Sequence, residues 1–197
     1  MTKLNREIVV AEALDLLDEV GLDAFTTRQL AKRLGVEQPT LYWHFRTKSL
    51  LLAAMADAAM APHKATPVPT PAYDWRDWFL ENNRSFRQTL LARRDGARLH
   101  AGSRPGAGDM ERIMQYLAFL VAAGLPEQEA RMGLFTANRF TVGSVLEEQA
   151  DAGRDEVKDQ SIGIPPIDYR FAFEAGLALI ADGLGRHLRP LEGNRPR

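Results

Sequence analysis

No cysteine occurs among the 197 residues, which excludes disulfides, thiolate metal sites and thiol redox sensing. No apolar run reaches the roughly eighteen residues that a membrane-crossing helix requires. No basic-then-apolar leader opens the chain. The expectation is therefore a cytoplasmic protein without a membrane partner. Sustained period-two alternation is also missing, so strands are not expected. H-E-x-x-H, G-x-S-x-G and glycine-rich phosphate loops are all absent. The formal net charge is −1, which does not suit a protein that coats nucleic acid non-specifically. What remains is ordinary for a globular chain: 45% hydrophobic and 26% charged residues.

Against that background the segment TTRQLAKRLGVEQPTLYWHFRTK, residues 26–48, is the most informative. Thr26 followed by Gln29 has the spacing of a capping box. Leu30, Ala31 and Leu34 form a short apolar stripe at helical spacing, and Gly35 ends it. Pro39 suits the first turn of a second helix, where its missing N–H costs little. The pattern is a helix-turn-helix whose second helix is sized for the DNA major groove. Leu41 and Phe45, four apart, can face a core together, which leaves Gln38, Tyr42, Trp43 and His44 pointing elsewhere. The competing reading is a buried helical hairpin with Tyr42 and Trp43 in the core.

Charge favours DNA. Residues 26–50 carry Arg28, Lys32, Arg33, Arg46 and Lys48 against Glu37, a local excess of +4. Residues 1–25 carry Lys3 and Arg6 against six acids, or −4. A local basic patch suits docking on phosphates at one place. For base readout, Arg28 matches guanine and Gln38 matches adenine, with Pro39 and Tyr42 against thymine methyls. Thr27, Thr40, Trp43, His44 and Lys48 are assigned to positioning on the backbone.

Helical patterning runs through the rest of the chain, giving an all-α class. Asn5 caps a first helix with Val9, Ala13, Leu16, Leu17 and Val20 on one face. Thr47 caps a fourth, over 48–61. Four prolines in residues 62–72 mark a break, dividing a DNA-binding domain (1–61) from a larger helical domain (62–197). A helix over 74–92 presents Trp75, Trp78, Phe79, Asn82, Phe86 and Leu90 on one face, an amide among aromatics. Further helices are expected at 107–123, 127–150 and 168–189. The last places Phe173, Leu177, Ile180, Leu184 and Leu188 together, for packing inward or on a second subunit.

Residues 26–48 resemble the DNA-binding domain of the tetracycline repressor family, and EQPTLYWH is close to its tetracycline-responding members. The likeness begins at LNRE (4–7) and continues through SFR (85–87), RDGA (94–97), HAGSRP (100–105) and RFTVGSVLEEQ (139–149). It implies a homodimeric repressor on a palindromic double-stranded operator, released by a small-molecule effector. It implies effector contacts at Asn82, Phe86, His100, Arg104 and Pro105. The same likeness places Lys64, Ser103, Ile113, Tyr116 and Leu134 around the effector. No intrinsic cofactor is implied, but Mg²⁺ carried in with the effector would bind His100 directly and, through water, Glu147 from the other subunit. Four positions depart from the tetracycline-responding members: Lys64 and Arg139 stand where those carry His, Tyr116 where they carry Gln, and Ser103 where they carry Thr. The segment between the last two long helices is also shorter. Two alternatives stay open: an effector that brings no metal, and a metal-dependent enzyme using His100 and Glu147.

Overall fold

The computed structural model describes residues 4–104, 106–152 and 167–188. Among the described residues all regular structure is helical. The order is α1 (Arg6–Val20), α2 (Thr27–Arg33), α3 (Gln38–His44), α4 (Lys48–Ala59) and α5 (Ala61–Lys64). Then follow α6 (Trp75–Leu91), α7 (Gly96–Ala101), α8 (Ala107–Ala122), α9 (Glu127–Asp151) and α10 (Tyr169–Gly185). Contacts divide the chain into two compact units. The first comprises residues 1–65, 86–104 and 145–152; the second comprises 66–85, 105–144 and 153–197.

In the first unit the local signals act as expected. The Asn5 side chain accepts from Ile8 N at the start of α1. Thr26 Oγ1 accepts from Gln29 N while Gln29 Oε1 accepts from Thr26 N, closing the capping box on α2. Gly35 adopts φ +66°, a conformation an L side chain resists, and lets the chain reverse into α3. Val9, Leu17, Phe25, Leu30, Leu41, Phe45, Leu51 and Met55 form one core under the reading helices. Each such side chain contributes about 1.5–3 kcal/mol by leaving water. Leu99 of α7 joins this core from far along the chain.

The proline-rich break begins later than expected, because α5 adds one more helical turn. Residues 65–74 then run without regular helix. The stretch 93–105, where the sequence pattern gives no helix, contains α7. Three carbonyl and amide groups at the α6–α7 junction are held by one side chain. Gln149 Nε2 donates to the carbonyls of Arg93 (2.8 Å) and Leu90 (3.3 Å), and its Oε1 accepts from Ala97 N (3.3 Å).

The second unit is built on Phe79, Leu120, Leu125, Ala137, Phe173, Leu177 and Ala181. Gly176 allows a close approach: a Cβ there would lie 2.4 Å from the Phe140 ring, which stacks on Phe173. The apolar face read on α10 turns inward within the protomer. Phe173, Leu177 and Leu184 are buried, whereas Leu188 lies beyond the helix end and is exposed. Facing solvent instead are Phe171 and Leu179, 71% and 73% exposed.

Candidate nucleic-acid interface and effector site

Leu41 and Phe45 anchor α3 in the core, and the same helix turns Tyr42 (45% exposed) and Trp43 (88% exposed) outward. A buried hairpin with these two aromatics inside is therefore ruled out. The Gln38 amide donates to Thr27 Oγ1 at 3.1 Å and to Tyr42 OH at 3.4 Å, linking both helices of the motif. Arg28, Pro39 and Lys48 are exposed; Thr27, Thr40 and His44 are half-buried.

The basic patch is smaller than its formal count. Arg33 donates to Glu12 at 2.8 Å and to Glu19 at 2.6 Å, folding its charge onto α1. Those two carboxylates push its pKa upward from an already high value. Lys48 Nζ donates to the Phe25 carbonyl at 2.8 Å, so the ammonium is positioned by the fold and keeps two further donors. Arg6, which sequence reasoning did not assign to the reading head, reaches it as well. Its guanidinium lies over the Phe45 ring at 4.2 Å and donates to the His44 carbonyl at 2.6 Å, closing the C-terminal end of α3.

Within the first unit, Phe86 is buried and has two imidazole neighbours. His100 meets it edge-on with centroids 5.1 Å apart; His63 lies tilted at 5.4 Å. Ser103 Oγ donates to the His100 carbonyl at 2.8 Å, fixing the end of α7. Arg104 is exposed, and Glu147 is exposed on α9. Its neighbour Glu148 pairs at 2.6 Å with Arg87, which is 9% exposed. Lys64 turns to Asp57, Nζ to Oδ1 2.5 Å.

At its opposite end α7 is tied to the turn that precedes the reading helices. Asp95 Oδ2 accepts from Leu22 N at 2.7 Å, and Arg98 donates to Asp23 at 2.6 Å. Arg93 reaches Asp18 at 2.5 Å, and Arg94 donates to the Glu19 carbonyl at 2.7 Å. Arg98 holds the Asp23 carboxyl below the usual carboxylate range, by hydrogen bond first and by charge second.

The second unit holds the remaining candidates. Asn82 is half-buried, and the fully buried amide is its neighbour Asn83. Asn83 Nδ2 donates to the Phe79 carbonyl at 2.8 Å, and Thr141 Oγ1 donates to Asn83 Oδ1 at 3.5 Å. Asn83 is thus the buried amide of α6, bonded within the protein, while Asn82 beside it stays half-buried. Tyr116 is buried against Trp78 (centroids 4.9 Å), and its hydroxyl accepts from Arg112 Nε at 2.6 Å. Ile113 and Leu134 are half-buried; Pro105 lies outside the described residues.

A helix-turn-helix head with outward polar and aromatic side chains, tied to an aromatic–imidazole cluster, defines a DNA-binding regulator. Comparison with known proteins fixes the family. Residues 9–55 match the bacterial regulatory proteins of the tetR family. Residues 67–165 match the tetracyclin repressor-like C-terminal domain. The chain is 48% identical to the class A tetracycline repressor protein from transposon 1721 of Escherichia coli, covering 99% of this chain and 98% of that one. A TetR-family transcriptional regulator from Streptomyces coelicolor is similar in structure, with TM-score 0.73, 62% identity, and 96% and 99% coverage. Class A TetR in complex with 5a,6-anhydrotetracycline and magnesium matches with TM-score 0.79, 48% identity, and 93% and 99% coverage. The chain belongs to the tetR family of bacterial transcriptional regulators. Members of this family bind operator DNA, dimerise and bind small-molecule effectors. Among the described residues no helix is long and apolar enough to cross a membrane.

Proposed function

We propose that this chain is a repressor that binds a palindromic operator as a homodimer and leaves it when a tetracycline-like molecule binds. The observation that carries the reading is α7. Its last turn holds His100 beside Phe86, and its first turn is bonded to the α1–α2 turn. A ligand that displaces His100 acts on a helix whose other end is attached to the reading head. α7 also packs on α4, and its Leu99 belongs to the same buried core as Leu51, Met55 and Ala56. Such packing transmits a displacement rather than absorbing it.

Among the described residues no three His, Asp or Glu side chains converge as a metal site. Mg²⁺ is read as arriving chelated by the effector, as the relative holding 5a,6-anhydrotetracycline and magnesium suggests, since Mg²⁺ keeps waters and takes few protein ligands. His100 is the first candidate ligand, with Glu147 contributing through water. The relatives that this chain matches are transcriptional regulators, which favours the repressor over a metal-dependent enzyme.

An effector releases DNA only as far as it prefers the non-binding conformation, and a 100-fold loss of affinity needs about 2.7 kcal/mol of coupling. The test is a titration of tetracycline, with and without Mg²⁺, against the protein on a fluorescent operator. Release that requires Mg²⁺ and is lost in His100→Ala supports the drug–metal reading. Release without Mg²⁺ favours a metal-free effector mode. No release at millimolar drug overturns the tetracycline assignment.

A further inference from the structure

We propose that Arg6, on the first turn of α1, sets the orientation of the reading helix α3 and thereby the base-pair selectivity of the protein, although it reads no base itself. The inference rests on the operator-binding reading given above. α3 has only seven residues. A helix that short is not held in water by its own hydrogen bonds, so its placement comes from its contacts. Leu41 and Phe45 anchor one face in the core. Two anchors one turn apart fix where the helix lies, but they do not stop it rolling about the line that joins them. Ties at its two ends do. Gln38 Nε2 on Thr27 Oγ1 holds the start, at 3.1 Å. Arg6 holds the other end. Its Nη1 donates to the His44 carbonyl at 2.6 Å, and its guanidinium lies 4.2 Å from the centroid of the Phe45 ring.

Both contacts suit that place. The carbonyls of a helix's last turn have no partner within the helix, and the negative end of its dipole favours a cation. The face of a phenyl ring also attracts a cation. Arg6 stands on a firm support, since α1 is capped by Asn5 and buries Val9, Val10 and Ala13 in the core. All of these residues belong to the first unit. Arg33, by contrast, folds its charge onto Glu12 and Glu19. Base edges are read through short, directional hydrogen bonds that weaken steeply when misaligned. Phosphates are held by cations on flexible stems, such as that of a lysine, which follow a small shift. A loosened α3 therefore loses readout by Gln38 and Tyr42 before it loses its hold on the backbone.

The experiment uses two duplexes of equal length: the one that wild type enriches from a random library, and its scrambled counterpart. Anisotropy over a range of salt gives the affinities of full-length wild type, Arg6→Met and Arg6→Lys for both. Arg6→Met keeps an apolar stem on Phe45 and removes the charge and the donors. It is expected to bind the enriched duplex at least tenfold more weakly and the scrambled one less than threefold more weakly, with an unchanged salt slope. Arg6→Lys restores a cation and a donor, and should recover most of the selectivity. Amide hydrogen exchange should be faster at residues 41–45 in Arg6→Met, with wild-type rates kept in α1 and α4. Equal losses on both duplexes, with a salt slope lower by about one, make Arg6 a phosphate contact and overturn the inference. Wild-type selectivity in Arg6→Met also overturns it, while the operator reading stands. So does a thermal midpoint lowered by more than about ten degrees in both variants, which makes Arg6 a support of the whole fold. If wild type itself prefers no sequence, the operator reading falls and the inference with it.

Discussion

Arg98 on α7 and Asp23 in the α1–α2 turn are joined by a hydrogen-bonded ion pair of 2.6 Å, although 75 residues separate them in the chain. Asp95, Arg93 and Arg94 add further bonds to the same stretch, residues 18–23. The pair is largely exposed and screened by solvent, so its contribution to global stability is small. Its proposed role is to make the reading head follow α7.

Breaking that tie should separate stability from coupling. Arg98→Ala is expected to shift the thermal midpoint by only a few degrees. It should also reduce the ratio of operator affinities without and with effector by about tenfold, roughly 1.4 kcal/mol of coupling. Anisotropy titrations at saturating and zero effector measure the ratio. An unchanged ratio removes the tie from the mechanism.

The same pair predicts an acid effect of defined sign. Asp23 titrates below its ordinary value of 3.8 because Arg98 stabilises its charged form. Stability from the pair is therefore complete above pH 3.8 and disappears as pH falls through the lowered value. Comparing wild type with Asp23→Asn across acid denaturation should show the two curves converging below that range. Divergence growing toward acid would contradict the assignment.

At the reading head, Gln38→Ala should cost about 1–3 kcal/mol of operator binding and relax preference at one base pair. Lys48→Ala should weaken all sequences alike and flatten the salt dependence. Because Lys48 also holds the Phe25 carbonyl, a small loss of stability should accompany it. Trp43→Ala should lose DNA affinity with no loss of stability, since the side chain is 88% exposed. Leu41→Ala, by contrast, should cost about 2–5 kcal/mol of folding.

For assembly, Phe171→Asp with Leu179→Asp is expected to yield a folded monomer with much reduced operator affinity. These side chains are 71% and 73% exposed in the protomer, and exposed apolar surface of this kind marks interfaces. Leu177→Asp should instead unfold the second unit, because Leu177 is fully buried. Sedimentation and circular dichroism distinguish the two outcomes.

Much of the reading head was legible because its signals are local. A capping box, a turn glycine and an apolar pair at i, i+4 each act over one helical turn. The long helices were legible from periodicity. Other features depend on contacts that periodicity does not encode. Asn82 and Asn83 both fall near the apolar side of α6, and only packing against Thr141 decides which is buried. α7 has six residues, too few to show a period, and it is held by Gln149 from α9. The tie between residues 18–23 and 93–98 was written as opposite charges in two distant segments, with nothing in either to name the other. Arg33 counted as free basic charge until the fold placed Glu12 and Glu19 beside it.

The most direct test of the account is selection of bound sequences from a random duplex library by the purified protein, followed by effector challenge of the complex. The account predicts one palindromic site, with half-sites about 34–36 Å apart or a multiple of it, occupied by two copies and vacated when the effector is added. Enrichment of no sequence, or of an asymmetric site held by one copy regardless of effector, would contradict it.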